Sequence, residues 1–355
     1  MAILKETIEH TEPAAGEWRD HARARLEQLT MPHWALGSLM DMSVELAAMT
    51  RSMDPPVERR TVVTMAADHG VVAEGVSKYP QEVTEQMVRN FVAGGAGINA
   101  LSRVADARIK VVDMGVAADL SGLADSEAII ARPVGPGTRN IARGPAMSPD
   151  QAVEAVEAGI EIGNELGKDT DLFGTGDMGI GNTTPSAAVV CAITGASPHE
   201  ATGRGTGIDD AGLEHKMNVI QQALDMNAPD GEDGLDVLSK VGGFEIGGIA
   251  GLILSAAAQQ KPVLIDGLIS TAGALIAHSL CPAAADYMIA AHRSVEQGHA
   301  LMLRHLDKQP LLELDLRLGE GTGAAAAMPL VECSKRILTD VATFEEAAVA
   351  TADEL

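Results

Sequence analysis

Glu320 stands between two glycines in the stretch Leu314-Asp-Leu-Arg-Leu-Gly-Glu-Gly-Thr-Gly-Ala-Ala-Ala-Ala327. Glycine admits positive φ and lets the backbone come close to a ligand. A carboxylate set there can reach into a crevice and take a proton from a bound molecule. The same pattern also describes a glycine turn carrying a solvated glutamate. This stretch alone does not separate the two.

A second candidate is Gly174-Thr-Gly176-Asp-Met-Gly179-Ile-Gly181-Asn-Thr-Thr184. It reads as a loop between a brief strand, Asp171 to Phe173, and a helix from Thr184 to Ile193. Backbone N–H groups at a helix N-terminus suit a phosphate, and Asn182, Thr183 and Thr184 add side-chain donors. The G-x-G-x-x-G within it matches the glycine fingerprint of dinucleotide-binding folds. That fingerprint also wants an acid about twenty residues further on at a strand end. Glu200 has the spacing but lies in Ser-Pro-His-Glu, which is no strand end. An anion site follows; a nicotinamide-dependent oxidoreductase is the alternative enzyme reading.

Two weaker features complete the chemistry. A further glycine loop, Gly203 to Asp210, precedes a helix that carries Lys216, which has the length to reach a phosphate. Glu74 to Gln86 combines a turn with polar side chains opening a helix, and Tyr79 there could frame a flat ring, with Thr84 as the helix cap. The histidines show neither HExxH nor any paired-ligand spacing, so no metal is expected. No GxSxG motif is present, which leaves a hydrolase triad without footing.

These loops need strands and helices to hold them. Thr61 to Ala66, Ile109 to Met114, Pro262 to Asp266 and Asp286 to Ala290 read as further short apolar strands, alternating with helices. The helices include Val83 to Ala93, Gly97 to Val104, Ala211 to Met226 and Phe244 to Gln259. Ser148, Pro149 and Gln151 form a cap, a first-turn proline and a capping box for a helix that closes at Gly167. Such alternation predicts an α/β fold with a mostly parallel sheet covered by helices on both faces. Ligands then bind past the carboxyl ends of the strands. That places Asp68-His69-Gly70, the loop from Gly174, Asp266-Gly267 and His292-Arg293-Ser294 on one rim. Helices from Glu17 to Leu29 and from Leu36 to Met49 precede a Pro-Pro linker near residue 55, and an Ala/Glu-rich tail from Thr343 reads as a peripheral helix.

Composition bounds the partners. The 355 residues carry a formal charge of −24 and only 2% aromatics, so Ala, Gly, aliphatic residues and 16 Met fill the interior. An acidic chain is a poor match for nucleic acid or an anionic membrane. Three scattered cysteines without a CxxC give no disulfide framework and suit a reducing cytoplasm. The N-terminus has no signal-peptide pattern, and the most apolar stretch, Ile246 to Ala258, is too short for a membrane span.

Several of these motifs, in this order, resemble those of nicotinate-nucleotide–dimethylbenzimidazole phosphoribosyltransferases. The matching stretches are A-A-D-H-G-V with V-T-E-Q-M-V, G-D-M-G-I-G-N-T-T, G-R-G-T-G, G-G-F-E-I-G-G-I-A-G, P-V-L-I-D-G, H-R-S-V-E-Q-G-H and L-D-L-R-L-G-E-G-T-G-A-A. The resemblance implies a Rossmann-like main domain over about residues 56–334. It also implies a smaller helical domain from residues 1–55 with about 335–355, a homodimer, and neither metal nor redox cofactor. The expected substrates are nicotinate mononucleotide and a benzimidazole-like base, with nicotinate as the leaving group. Carried onto this chain, the catalytic carboxylate is Glu320, with Asp177 as a second acid. The phosphate and ribose fall to Gly176, Met178, Gly179, Ile180, Gly181, Asn182 and Thr183, helped by Lys216 and Ser294. The base pocket takes Ser77, Tyr79, Gln86 and Leu318. Asp177 departs from the glutamate usual there, and Gln297 from a common proline. The base could also be a purine or a phenol, or the chain could be a partner subunit with reduced activity.

Overall fold

The computed structural model describes residues 1–123, 126–205 and 207–350. Six strands form one sheet: β1 (Arg60–Ala67), β2 (Ala107–Gly115), β3 (Ile129–Ala131), β4 (Leu172–Met178), β5 (Val263–Ile265) and β6 (Met288–Ala290). Their order is β3-β2-β1-β4-β5-β6, and every neighbouring pair is parallel. β1 is buried along its whole length, as an apolar, β-branched run predicts for a strand covered on both faces. From β1 the chain builds outward to β3, then returns to lay β4 on the other side of β1. At such a switch point the loops after two adjacent strands diverge and leave a crevice.

Helices cover both faces. Helix Phe244–Ala258 is buried along nearly all its length and packs on helix Pro149–Leu166. A Cβ on Gly159 would lie 2.0 Å from the carbonyl oxygen of Gly248, so the two backbones touch where they cross. Small residues at such crossings account for a large core built with few aromatics. The capping box at Ser148 and Gln151 is present as the sequence predicts.

A separate apolar cluster joins Ala22, Leu26, Met40, Val44 and Leu338. These come from helices Gly16–Leu26 and Ser38–Thr50 and from the far end of helix Thr322–Asp340. Ser43 Oγ donates to the Ser334 carbonyl at 2.6 Å across that packing. Helix Ala2–His10 joins the main core instead, through Leu4, whose N–H donates to Glu157 Oε1 at 3.1 Å.

Some elements differ from expectation. β3 has three residues and no alternating pattern to announce it. Helices Leu268–Leu280 and Thr322–Asp340 were not expected, because their apolar residues run all round or are mostly Ala and Gly. The tail helix is a single turn, Phe344–Ala347, and residues 351–355 of the expected tail lie outside the described residues. No described helix is long and apolar enough to cross a membrane.

Candidate active site

β4 runs further than predicted. Gly174 and Gly176 lie inside the strand rather than in the loop after it. Both are glycine because something packs on them. A Cβ on Gly176 would sit 2.3 Å from the carbonyl oxygen of Glu320, and one on Gly174 would meet Met328 and Ala324 at 3.0 and 3.1 Å. The helix that follows Glu320 therefore lies flat against β4. This removes the first two glycines of the G-x-G-x-x-G from any turn around a dinucleotide pyrophosphate.

Glu320 sits above the switch point. Gly319, Glu320 and Gly321 all have positive φ, at 83°, 65° and 97°. Three such residues in a row turn the chain sharply into the Thr322–Asp340 helix, and glutamate at positive φ is uncommon. The turn is held from several sides. Thr64 Oγ1 on β1 donates to the Glu320 carbonyl at 2.8 Å. Asp266, at the end of β5, accepts the N–H groups of Gly321 and Ala324 at 3.1 and 3.0 Å. The Glu320 carboxylate is 5% exposed, and its Oε2 accepts the Ile98 N–H at 3.0 Å at the start of helix Gly97–Val104. Burial raises its pKa; the Ile98 N–H works the other way, and the charge of Asp266 adds to the rise.

Asp177, at the end of β4, is buried a short way off. Its Oδ2 accepts from Asn182 Nδ2 at 3.1 Å, while Oδ1 has no hydrogen-bond partner among the described residues. Burial first, then the charges of Asp266, Glu245 and Glu320, hold its pKa well above the ordinary range. Of the two neighbouring acids Asp177 is thus the one pushed harder toward its neutral form, the division expected when two acids crowd one site. His292 Nε2 lies 3.5 Å from Asp266 Oδ1. Burial would lower the His292 pKa, but the bond to and charge of Asp266 outweigh it and leave it raised.

The segment after β4 turns into helix Thr183–Thr194, with Asn182 at its N-cap. Thr84 does not cap its own helix, which begins after Glu82; its Oγ1 instead accepts the Ile180 N–H at 3.0 Å and ties this loop to helix Val83–Ala93. Lys216 is 1% exposed and reaches the loop from behind, its Nζ donating to Thr183 Oγ1 at 2.7 Å. Burial pulls the Lys216 pKa down to about 8, against the charge of Glu296. Ser294 donates its N–H to His299 Nδ1 at 2.9 Å, and His299 Nε2 faces Thr271 Oγ1 at 3.0 Å. An Nδ1 that accepts leaves the proton on Nε2, so this ring is a neutral donor to Thr271. Burial lowers its pKa to about 3.

Together these walls enclose a cavity of about 500 Å³. Ser77, Tyr79, Asp177, Met178, Gly179, Ile180, Gly181, Asn182, Thr183, Ser294, Leu318 and Glu320 all line it. Gly176 lies beneath Glu320, and Lys216 stands behind Thr183. Gln86 is the exception: it is exposed and outside the lining, while Val83 and Met87 face the cavity. On a helix Gln86 points about 100° away from Met87. Arg317, Glu296 and Ile269 line the cavity and were not singled out from sequence. His292 and Gly267 were placed on the strand-end rim and do line it. A larger depression of about 930 Å³ lies past the edge strand β3, between Arg132, Glu157 and Asp236, away from Glu320 and Asp177. Among the described residues no group of three or more His, Cys, Asp or Glu is arranged to hold a metal.

Comparison with known proteins bears on the chemistry. A family model described as phosphoribosyltransferase matches residues 11–349. The nicotinate-nucleotide–dimethylbenzimidazole phosphoribosyltransferase of Syntrophotalea carbinolica is 61% identical over 98% of this chain and 99% of its own length. The protein of the same name from Desulfotalea psychrophila is 55% identical over 98% and 99%. A crystal structure of such an enzyme from Thermus thermophilus superposes with a TM-score of 0.90 at 44% identity, covering 95% of this chain and all of that one. The parallel sheet, its switch-point crevice and full-length similarity agree, and the chain belongs to the nicotinate-nucleotide–dimethylbenzimidazole phosphoribosyltransferase family.

Proposed function

We propose that this enzyme transfers the 5-phosphoribosyl group of nicotinate mononucleotide to 5,6-dimethylbenzimidazole or a related base. The products are α-ribazole 5′-phosphate and nicotinate. The observation that carries the reading is the buried carboxylate of Glu320, held on the wall of a cavity whose other side is a helix N-terminus suited to a phosphate. In this reading the phosphate lies on the loop from Gly176 to Thr183, with Lys216 supplying charge behind Thr183. Ser77, Tyr79, Val83, Met87 and Leu318 enclose the flat base.

The chemistry then balances. One ring nitrogen of the base attacks C1′ from the face opposite nicotinate, so β becomes α. The C1′–N bond to nicotinate breaks, and its electron pair returns to the pyridine ring. The base gains positive charge as the new bond forms, which acidifies its other N–H, and Glu320 takes that proton. Glu320 is suited because burial strengthens it as a base, while the Ile98 N–H stabilises its ionised form. Burial favours the neutral form of Asp177, which limits negative charge beside the departing carboxylated ring.

The reading extends to assembly. Tyr79 and Leu318, 51% and 60% exposed at the cavity rim, give a second copy an apolar surface to cover. A smaller helical unit is part of the same proposal, drawn from helices Gly16–Leu26 and Ser38–Thr50 and the end of Thr322–Asp340, and supported by their separate cluster. A cytoplasmic location fits the free Cys191 and Cys281 in the core.

Incubating the pure protein with nicotinate mononucleotide and candidate bases, and assaying nicotinate and an α-configured ribotide, tests the reading. Both products should appear with at least one benzimidazole. Folded protein that releases no nicotinate with benzimidazoles, purines or phenols would refute it.

A further inference from the structure

Glu296 forms part of the wall between the reaction cavity and a neighbouring recess of about 480 Å³ that Arg204, Leu213 and Arg317 also line. It is buried, and its two oxygens are treated differently. Oε1 accepts the N–H of Gly205 at 3.0 Å; Oε2 is buried without a hydrogen-bond partner among the described residues. Leaving a buried carboxylate oxygen unpaired costs stability. The surroundings are nonetheless shaped to admit it, because a Cβ on Gly203 would lie 1.9 Å from Oε2.

The other side of this contact is Lys216. A Cβ on Gly205 would lie 3.2 Å from Lys216 Nζ, so the backbone that Glu296 holds also roofs the ammonium. Among the described residues Nζ hydrogen-bonds to Thr183 Oγ1, which is uncharged. Of the ionisable groups around it, Glu296 is the one whose charge acts on it. Arg204 is turned to Asp210, His215 is bound to the Glu74 carbonyl, and Glu214 and Arg317 are exposed. A lysine this buried without a counter-charge gives up its proton near neutral pH.

We propose that Glu296 is a positioning residue: it is the counter-charge of Lys216 and the pin that holds the Gly205 backbone over it, so that a cation faces the substrate phosphate. This rests on the assignment of the phosphate to the loop ending at Thr183. The Ser294 Oγ that accepts the Glu296 N–H at 3.3 Å links the same residue to the cavity wall.

Calorimetric binding of nicotinate mononucleotide to the full chain, measured across pH, tests this without requiring turnover. Glu296→Gln keeps an oxygen for the Gly205 N–H and removes the charge alone. Its affinity should match wild type in mild acid and fall off at lower pH than wild type does, leaving binding about tenfold weaker at pH 8. Glu296→Asp should restore the wild-type limb in part. A Glu296→Gln curve that overlays wild type at every pH would overturn the proposal. Lys216→Met separates the two layers: if it binds the nucleotide as tightly as wild type, the phosphate assignment itself fails, and the proposal with it. Weakened Lys216→Met with unmoved Glu296→Gln rejects the role of Glu296 alone.

Discussion

Glu320 Oε2 accepts the backbone N–H of Ile98 at 3.0 Å, so the proposed base rests on the first turn of helix Gly97–Val104. The positive end of that helix stabilises the carboxylate that burial destabilises. Gly97 makes the approach possible: a Cβ there would lie 3.2 Å from Glu320 Oε2 and 2.9 Å from Leu318 Cδ2. Gly97→Ala should therefore displace the carboxylate and lower kcat by roughly tenfold to a hundredfold while sparing nucleotide binding. Gly16→Ala, whose Cβ meets nothing within 4 Å, is the control. Steady-state kinetics of the two variants check this; equal kcat would show that the helix start does not position Glu320.

The pH profile should be a bell. Glu320 must be ionised to accept a proton, and its pKa lies above the ordinary 4.5, so activity falls on the acid side at a higher pH than a free glutamate would give. Lys216 must be charged to hold a phosphate, and its pKa is about 8, so activity falls again as pH rises through that value. The measurement is kcat/KM for nicotinate mononucleotide with the base saturating. An acid limb at the ordinary glutamate value would contradict the burial of the base.

Much of this was legible in the sequence, and the misses have physical causes. Short β-branched runs announced β1 and β2, and turn chemistry at Ser148 announced a helix start. The strand-end rule then put Asp177, Asp266 and His292 on one rim, while Glu320 stood out by its place between two glycines and took its role from the resemblance. β4 was cut short because Gly174 and Gly176 read as loop residues, whereas they are glycine to let the Thr322–Asp340 helix lie on the strand. That is a tertiary contact, and local pattern cannot carry it. Thr84 was read as a cap for its own helix and serves Ile180 instead. Gln86 entered the base pocket through resemblance, and the helix turns it away. Glu296 and Arg317 had no local signal, since their roles depend on loops distant in sequence.

Asp177 gives a stability test with a defined sign. Its folded pKa is raised well above 3.8, so between the two values the folded chain holds a proton that the unfolded chain has released. That difference disfavours folding as pH rises above the unfolded value. Asp177→Asn removes the penalty and should raise Tm at pH 7 by a few degrees, with the gain vanishing below about pH 3.8. Calorimetric melts at both pH values check it. An unchanged Tm at pH 7 would show that folding does not raise the Asp177 pKa.

His299 has the opposite linkage. Its pKa falls from 6.5 to about 3 on folding, so the stability it contributes as a neutral ring is present above pH 6.5 and lost as pH falls toward 3. His299→Gln should cost about 1–3 kcal/mol at pH 7 through the lost bonds to Ser294 and Thr271. The gap to wild type should narrow in acid. Denaturant titrations at pH 7 and pH 4 measure it, and a gap that widens in acid would mean the ring is charged in the folded state.

The most direct test of the account is the single-turnover rate of Glu320→Gln with saturating nicotinate mononucleotide and dimethylbenzimidazole, alongside the nucleotide affinity of the same variant. Glutamine keeps an oxygen for the Ile98 N–H but accepts no proton. The account predicts a loss of about 10²–10⁴-fold in rate with nucleotide affinity close to wild type. A rate equal to wild type, with the variant folded and binding normally, would contradict the assignment of Glu320 as the group that takes the proton.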